Sequence, residues 1–446
     1  MRVLMVSKAC VVGAYQTKLE ALARRPEMEL TVIVPPYWKG EDGISRLERA
    51  YVSGYELIVS PIRFNGAFHV HYYPHLGHWL SRLRPDILHF DEEPYNLATY
   101  LGLRAAQPLG IRSLFFTWQN LLRRYPWPFR YFERACFHWA RYAIAGNQDA
   151  AGVLRQKGYH GPLEVIPQFG VVPAHYAPAS PPWDEGATLR IGYAGRLVPE
   201  KGVHVLLSAL AGLQGDWRAL IAGGGPEERA LKMQAERLGI AGQVEFLGKM
   251  ASTQMPAFFQ QINVFVLPSI SRPNWIEQFG RVLIEAMAAR VAVVGSTCGE
   301  IPRVIGEAGL VFPEGDASAL RHCLERLRDP KLRGELAQAG RQRTLEQFTQ
   351  DRIAQRTYET YLAMMEESGH QATGSNTSEG TLPTANPVLL ANDKRGERFE
   401  LRALSAGAFL WYNRREEEAL PHGRCFGTLD SRWVERPVAI ARPELP

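Results

Sequence analysis

The stretch GYAGRLVPEKG, residues 192–202, decides the fold. An apolar run typical of a β-strand, Leu189–Ala194, leads into it, and a helical run, Val203–Leu213, follows. This order is typical of phosphate sites, because glycines let the backbone approach an anion and the helix start offers unpaired N–H groups. Arg196 and Lys201 bring two positive charges to the loop. The stretch predicts a parallel α/β domain with a diphosphate site; the alternative is a generic turn with both cations in water.

Short apolar runs alternate with longer amphipathic stretches in both directions from this loop. Upstream, such runs lie at Val3–Val6, Leu30–Val34, Ile87–Phe90, Leu114–Thr117, Tyr142–Ala145 and Leu163–Ile166. Downstream, they lie at Ala219–Ala222, Val244–Phe246, Val264–Leu267, Ala292–Val294 and Leu310–Phe312. A proline-rich segment at 173–182 separates the two series. The pattern predicts an α/β protein with two parallel sheets and a ligand cleft between the carboxyl ends of their strands.

The ends of the two series set the predicted domain boundaries. The first Rossmann-like domain spans 1–180 and the second spans 181–345. A closing helix is expected at 346–367, because apolar residues recur there with helical spacing. Beyond it the composition becomes small and polar, so the tail at 368–446 is expected to be poorly structured and is assigned no function.

The composition excludes several classes of protein. With 446 residues, 46% hydrophobic and 22% charged, the chain has the make-up of an ordinary globular protein. A net charge of +5 over this length is far from the basic stripe of a nucleic-acid binder, so no nucleic-acid partner is expected. The five cysteines form no CxxC pair, which argues against a zinc site and favours a cytoplasmic protein. No apolar run is long enough to span a membrane.

A second loop-to-helix junction, PSISRPNWIEQFGRVLIEAMA at 268–288, carries two glutamates. Glu277 ends the loop, and Gly280 opens the helix. Glu285 lies among apolar neighbours and needs hydrogen-bond donors, a role that sugar hydroxyls fill well. The amides of Phe279 and Gly280 would point at the same ligand. The alternative is that Glu277 caps the helix and Glu285 forms a buried salt bridge.

Three carboxylates follow a strand of the first domain, in HFDEEPYN at 89–96. Asp91, Glu92 and Glu93 lie at the carboxyl end of that strand, where the cleft is expected. One of them would bind acceptor hydroxyls or assist proton removal. The alternative is that they are acids at a helix N-terminus, which the helix dipole favours.

Together, these motifs resemble those of glycosyltransferase family 4. Glu277 and Glu285 form the E-x7-E pattern of retaining glycosyltransferases, and the segment 195–202 matches a second hallmark of the family. Further matching segments lie at 222–226, 244–248, 299–302 and 309–316. The resemblance implies a GT-B fold, with two facing Rossmann-like domains, an interdomain cleft and a C-terminal helix. The acceptor site would lie mostly in the first domain and the nucleotide-sugar site mostly in the second.

The resemblance also implies roles for individual residues. As catalytic residues, Arg196 and Lys201 would neutralise the leaving diphosphate, and Glu277 would contact the donor sugar. Glu285 would hold the nucleotide ribose. The other donor-site residues that the resemblance implies are Gly13, Gly195, Gly248, Phe279 and Gly280.

The implied reaction is retaining transfer of a sugar from a UDP- or GDP-linked donor to an acceptor hydroxyl. The acceptor would be a saccharide or a lipid-linked molecule, in cell-envelope polysaccharide or glycolipid synthesis. No metal or other cofactor is expected, because the sequence contains no Asp-x-Asp pair to hold a metal-bound diphosphate. Two alternatives stay open. The first alternative is a nucleotide-sugar epimerase or phosphorylase on the same fold. The second is a non-catalytic subunit that binds the nucleotide sugar.

The first domain departs from the family pattern in ways that motivate the non-catalytic alternative. Its first βα loop carries one glycine, Gly13, where many relatives have a pair, and Lys18 is a candidate replacement charge. Gln119 and Asn120 follow a strand where relatives often carry a histidine, so both are assigned to the acceptor side. In the second domain, Arg303 stands where relatives commonly have glutamate.

The segment Leu121–Arg141 combines five arginines with many aromatic residues. Such a composition is typical of surfaces that contact anionic lipid headgroups, which predicts peripheral contact with the inner face of a membrane. The alternative is an ordinary helix whose aromatic side chains pack into the first domain and whose arginines lie in water.

Overall fold

The computed structural model describes residues 1–40, 43–176 and 188–366, together with the backbone of three short strands in the tail. The strands are β1 (Arg2–Val6), β2 (Glu29–Val34), β3 (Tyr37–Gly40), β4 (Gly43–Arg46), β5 (Glu56–Val59), β6 (Ile87–Phe90), β7 (Arg112–Thr117), β8 (Tyr142–Ala145), β9 (Leu163–Val165), β10 (Leu189–Ala194), β11 (Trp217–Ala222), β12 (Val244–Gly248), β13 (Val264–Leu267), β14 (Ala292–Ser296), β15 (Leu310–Phe312), β16 (Val388–Asn392), β17 (Arg398–Ala403) and β18 (Phe409–Asn413). The α-helices are α1 (Thr17–Ala23), α2 (Leu76–Leu83), α3 (Leu97–Ala106), α4 (Phe129–Trp139), α5 (Gln148–Gln156), α6 (Val203–Ala211), α7 (Glu228–Arg237), α8 (Met255–Phe259), α9 (Arg281–Ala288), α10 (Ile301–Ile305), α11 (Ala317–Arg326), α12 (Pro330–Gln347) and α13 (Gln350–Glu366). The predicted boundary between residues 180 and 181 lies outside the described residues.

The first domain is built on a parallel sheet of seven strands in the order β5-β2-β1-β6-β7-β8-β9. Its central strands are buried on both faces except for Arg2 at the start of β1, and they are apolar apart from that residue and His89 of β6, as the hydrophobic runs predict. An antiparallel hairpin of β3 and β4 lies outside this sheet. The strand order reverses between β1 and β6, which marks the point where open α/β sheets bind ligands.

The second domain has a parallel sheet of six strands in the order β12-β11-β10-β13-β14-β15. Its strand order reverses between β10 and β13, so the loops that follow these two strands meet at one place. They are the glycine-rich loop and the loop that carries Glu277. Two sheets of Rossmann-like type confirm the fold class predicted from the sequence.

The last described helix returns to the first domain. Residues of α13, among them Ile353 and Tyr361, belong to the same hydrophobic core as Leu19 and Leu22 of α1. The segment between α12 and α13, where the chain returns to the first domain, is held by a hydrogen bond from the Val171 N–H to the Phe348 carbonyl at 2.9 Å. The second domain has its own core around β10, β13 and β14.

The strands of the tail form a three-stranded antiparallel sheet in the order β16-β17-β18. Leu390 pairs with Glu400, and Leu401 pairs with Trp411. The tail is a unit of its own. Its three strands lie in a region that was expected from the sequence to be poorly structured. Within the described part of the chain, none of the helices has the length and apolar character needed to cross a bilayer.

Candidate active site

The glycine-rich loop after β10 is held against the loop after β13. Gly202 has a φ of 67°, and a Cβ atom placed on it would lie 1.9 Å from the Pro268 carbonyl oxygen, so only glycine fits. The loop leads directly into α6, which begins at Val203. Arg196 is exposed on the same loop. The two loops that reach the strand-order reversal are thus in contact.

Lys201 and Glu277 form an ion pair across these two loops. The Nζ atom of Lys201 lies 2.6 Å from Oε2 of Glu277 and 4.8 Å from the ring centroid of Trp275. The Ser269 hydroxyl donates a second hydrogen bond to the same oxygen at 2.9 Å. Because an ammonium group has three N–H donors, the Lys201 contact with Glu277 leaves donors for a phosphate.

Glu277 does not cap the helix, which was the alternative raised by its position. The N-cap of α9 is Gly280, with a φ of 73°. Glu277 itself is 7% exposed and is held by Lys201 and Ser269. Its backbone is also fixed, because the Glu300 N–H donates to the Glu277 carbonyl at 3.1 Å. The carboxylate is therefore oriented before any ligand arrives.

Glu285 forms the buried ion pair that was the alternative for this residue. Nε and Nη2 of Arg281, one helical turn earlier, each lie 2.8 Å from Oε1 of Glu285. Burial raises the pKa of Glu285, while Arg281 and a hydrogen bond from the Tyr176 hydroxyl oppose that shift. Both Arg281 contacts are made to the same oxygen, Oε1.

The other residues expected at the donor site differ in how they are used. Gly195 and Gly248 lie at the carboxyl ends of β10 and β12, and the Gly248 carbonyl accepts from the Gly223 N–H at 2.8 Å. The ring of Phe279 lies 5.9 Å from that of Trp118 in the first domain. The Gly13 N–H donates to the Glu48 carboxylate at 2.7 Å, so this amide is already bound within the first domain.

Two of the first-domain carboxylates are tied into the sheet. Asp91 accepts from the Ser7 hydroxyl at 2.7 Å and from the Gln168 amide at 2.9 Å. Glu92 lies 2.5 Å from Lys8 and 2.7 Å from His71. Burial alone would raise the pKa of Glu92, but Lys8 and His71 lower it to about 2. Since α3 begins only at Leu97, these acids lie before its first turn rather than within it.

Glu93 differs from Glu92 because no cation pairs with it within the described part of the chain. Its carboxylate accepts from the Thr117 hydroxyl at 2.5 Å and from the Trp118 N–H at 2.8 Å. Burial raises the pKa of Glu93 to about 7, against the lowering effect of those hydrogen bonds and of more distant lysines. A carboxyl group that titrates near neutral pH at the carboxyl end of a strand is suited to proton exchange.

The loop after β7 reaches the second domain. The Gln278 side-chain amide donates to the Trp118 carbonyl at 2.9 Å, and the Asn120 amide donates to the Ile276 carbonyl at 3.4 Å. Gln119 instead faces inward, where its carbonyl accepts from Lys157 at 3.0 Å. Of the two expected acceptor-side residues, Asn120 is therefore adjacent to the Glu277 loop and Gln119 is part of a first-domain network.

The unusual Arg303 also joins the two domains. Its Nη1 atom lies 2.9 Å from Asp149 at the start of α5 and 2.9 Å from Glu300. Nearby, the Asn147 amide donates to the Gln278 carbonyl at 2.5 Å. The departure from the family pattern thus supplies an ion pair between the domains.

Segment 121–141 contains both an ordinary amphipathic helix and an exposed apolar surface, the two alternatives raised by its sequence. Helix α4 packs its aromatic side chains inward, with Phe132 stacked on Tyr100 at 4.6 Å, while its arginines are exposed. In the preceding loop, however, Leu122 and Trp127 expose 55% and 46% of their surface. The apolar surface is therefore in the loop and not on the helix.

Several contacts at this site were not predicted from the sequence. His71 and Asn147 lie in loops and Tyr15 lies in a short 3-10 helix before α1, and no sequence motif indicates their contacts. Arg281 could have been identified, since it lies four residues before Glu285 on the same helix, where opposite charges meet.

Two family profiles match the chain. The profile described as "Glycosyltransferase Family 4" matches residues 18–169, and that described as "Glycosyl transferases group 1" matches 184–343. The phosphatidyl-myo-inositol mannosyltransferase of Mycolicibacterium smegmatis is 30% identical over 335 residues, which cover 70% of this chain and 80% of that protein.

A further relative and a solved structure are similar over different extents. The lipopolysaccharide core biosynthesis glycosyltransferase LpsE of Rhizobium meliloti is 32% identical over 218 residues, or 47% of this chain and 61% of LpsE. This chain thus spans less than two thirds of the length of LpsE. The crystal structure of HepE from Anabaena in complex with UDP has a TM-score of 0.63 at 18% identity, covering 81% of this chain and 100% of HepE. That likeness concerns the fold alone.

Proposed function

This chain belongs to glycosyltransferase family 4, and on that premise we propose that it transfers a sugar from a nucleotide-diphosphate donor to an acceptor hydroxyl. One observation carries the proposal. Lys201 and Glu277, from two different loops, meet at the strand-order reversal with their charged atoms 2.6 Å apart. They bring a phosphate-binding cation and a sugar-binding carboxylate to one point.

The proposed chemistry is retaining and does not use a metal. The bond between the sugar C1 and the diphosphate oxygen breaks, and a bond from C1 to the acceptor oxygen forms on the same face of the sugar. The acceptor proton passes to the leaving phosphate oxygen. Arg196 and Lys201 stabilise the negative charge that develops on that diphosphate, which is the role a metal ion plays in other enzymes.

Thermal unfolding in the presence of nucleotides tests the donor site. UDP, GDP and their sugar conjugates are compared on the wild type and on Lys201→Ala. A ligand at about 100 times its Kd adds roughly 2.7 kcal/mol of stability, which corresponds to a shift of several degrees. We expect one nucleotide family to stabilise the wild type and not the variant. If none stabilises the wild type, acceptor-first binding or a degenerate, non-catalytic donor site becomes the better interpretation.

The anomeric configuration of the product tests the reaction class. With the donor identified, transfer to an acceptor panel is followed by proton NMR of the newly formed glycosidic bond. Retention of the donor configuration supports the proposal, whereas inversion contradicts the retaining mechanism. Full activity after treatment with EDTA is expected, and its loss would contradict the absence of a metal requirement.

We place the acceptor among lipid-linked saccharides and glycolipids at a membrane surface. Two relatives support this class: LpsE, a lipopolysaccharide core biosynthesis glycosyltransferase, and the phosphatidyl-myo-inositol mannosyltransferase of Mycolicibacterium smegmatis. The exposed side chains of Leu122 and Trp127, next to Arg123 and Arg124, provide a surface with the chemistry of an interfacial contact.

Co-sedimentation with liposomes tests the membrane contact. The wild type is expected to bind vesicles that contain an anionic lipid at low salt and to dissociate as salt is added. The double variant Leu122→Ser, Trp127→Ser should bind at least fivefold less. The matched control is Met233→Ser, which changes an exposed apolar side chain on α7. Absence of binding by the wild type would contradict the proposed contact.

A further inference from the structure

Tyr15, in the first βα loop, contacts the helix that carries Glu285. The guanidinium carbon of Arg281 lies 5.0 Å from the ring centroid of Tyr15. The Tyr15 ring is also stacked on Phe169, at 4.0 Å between centroids and 10° between planes. Because Tyr15 and Phe169 belong to the first domain and Arg281 begins α9 in the second, this contact crosses the domain boundary.

The loop that presents Tyr15 is fixed within the first domain. Gln16 is fully buried, and its side-chain amide donates to the Cys10 carbonyl at 3.0 Å while its oxygen accepts from the Ala50 N–H at 3.1 Å. The Gly13 N–H is bound to Glu48. A ring presented by such a loop and backed by Phe169 has little freedom to move away from Arg281.

Arg281 lies between Tyr15 and Glu285. Its two nitrogen atoms bind one oxygen of the carboxylate, and its delocalised cation faces the aromatic ring. A guanidinium over an aromatic face is attracted to the ring, most strongly where water is excluded. The ring therefore holds the guanidinium, and the guanidinium holds the carboxylate.

We propose that Tyr15 is a positioning residue for nucleotide binding, which acts through Arg281 to orient the Glu285 carboxylate toward the ribose. This inference rests on the proposed function, because it takes Glu285 as the ribose ligand. It makes the affinity for the nucleotide depend on a first-domain side chain, although the expected nucleotide ligands are mainly in the second domain. In this chain, the first βα loop would act through an aromatic ring rather than through free backbone amides.

Calorimetric titration with UDP and with GDP tests this role. Tyr15→Leu removes the aromatic face at similar volume and should weaken nucleotide binding about three- to tenfold. Tyr15→Phe keeps the ring and should bind within twofold of the wild type. At saturating donor, both variants should turn over within twofold of the wild type, so that the effect falls on KM and not on kcat.

A control separates positioning from a general loss of structure. Trp79→Leu removes a ring that lies 5.5 Å from Arg82 within α2 of the same domain, and it should leave nucleotide affinity unchanged. Wild-type affinity in Tyr15→Leu, or equal weakening in Tyr15→Phe, would overturn the proposal. Equal weakening in Trp79→Leu would also overturn it, since the effect would then be unspecific.

A double-mutant cycle on thermal unfolding without nucleotide distinguishes this inference from the proposed function. If Tyr15 acts through Arg281, the effects of Tyr15→Leu and Glu285→Gln on stability are non-additive. Additive effects would overturn the Tyr15 proposal even if nucleotides bind. Non-additive effects in a protein that binds neither UDP nor GDP would leave the contact in place, but they would overturn its ribose role together with the proposed function.

Discussion

The two domains use buried charge differently. In the second domain, Lys201 pairs with Glu277 and Arg281 pairs with Glu285, and the cations keep 21% and 30% of their side chains exposed. In the first domain, Glu92 is enclosed by Lys8 and His71 with almost no exposure. Partly open ion pairs leave donors for a ligand, whereas an enclosed one mainly holds the fold. A carboxylate at the end of a strand is therefore not by itself a sign of a binding site.

The largest effect is expected where a first-domain pair is broken. Glu92→Gln leaves the buried His71 and the 13% exposed Lys8 side chain without their charge partner, and breaking a buried pair typically costs about 3–5 kcal/mol. Urea denaturation of the variant and the wild type measures the change. The control is Glu228→Gln, which breaks the exposed pair with Lys232 and should cost less than about 1 kcal/mol. A similarly small loss of stability in Glu92→Gln would mean that the enclosed ion pair of the first domain does not hold the fold, and it would contradict the difference between the domains.

The next effect is on catalysis in the second domain. Lys201→Ala removes a donor to the developing diphosphate charge and should lower kcat/KM about 10²- to 10³-fold. The fold should persist, because the ammonium is partly exposed and its loss leaves Glu277 with the Ser269 hydrogen bond. Steady-state kinetics and circular dichroism measure both quantities. Lys232→Ala is the matched control, and unchanged activity in Lys201→Ala would contradict the site.

Glu93 should give the stability of the first domain a pH dependence that extends to neutral pH. Its folded pKa of about 7 is above the ordinary value of 4.5. The folded state therefore binds the extra proton, so this contribution to stability is present below pH 4.5 and is lost as the pH rises through 7. Its size is about 3–4 kcal/mol, since one pKa unit corresponds to about 1.4 kcal/mol.

Glu93→Gln tests that dependence, since glutamine resembles the protonated carboxyl group. Denaturation from pH 4.5 to 8 should show the free energy of unfolding of the wild type falling relative to that of the variant. The variant should be the more stable of the two at pH 8. Parallel profiles would mean that the carboxyl group is ionised throughout the range.

The smallest effect is expected from the ion pair between the domains. Arg303→Glu places like charges at Asp149 and Glu300, but the exposed position of Arg303 limits the cost to about 1 kcal/mol, or a two- to fivefold loss of kcat/KM. The exchanged pair Arg303→Asp with Asp149→Arg should recover at least half of that loss. A rise in salt concentration should also restore part of the kcat/KM of Arg303→Glu. Unchanged kcat/KM in both variants would mean that this ion pair has no role in activity.

A structural feature could be predicted from the sequence when residues close together in the chain determine it. Val264–Leu267 is a continuous apolar run, and Ile87–Phe90 is one apart from His89, so both buried strands were predicted with their observed ends. The edge strand Glu56–Val59 buries a single residue, Ile58, and gives no such signal. The glycine-rich loop and the Glu277 loop were also evident, because short motifs encode them.

The missing parts of the candidate site are contacts between distant segments. Tyr15 and Arg281 are remote in sequence, and neither residue alone indicates that they meet. The same holds for Glu92 with His71 and for Arg303 with Asp149. Short sequence motifs show which side chains can bind or react. Whether such a side chain serves a ligand site or a structural contact depends on which other side chain it pairs with, and tertiary packing determines that pairing.

The return of α13 to the first domain has a consequence for how the protein is made. Because Ile353 and Tyr361 complete a core that begins with β1, the first domain to leave the ribosome is the last to be finished. Until that helix emerges, the apolar face of α1 around Leu19 and Leu22 stays uncovered. A nascent chain halted after the second sheet should therefore depend on chaperones, and release should follow once the closing helix has been synthesised.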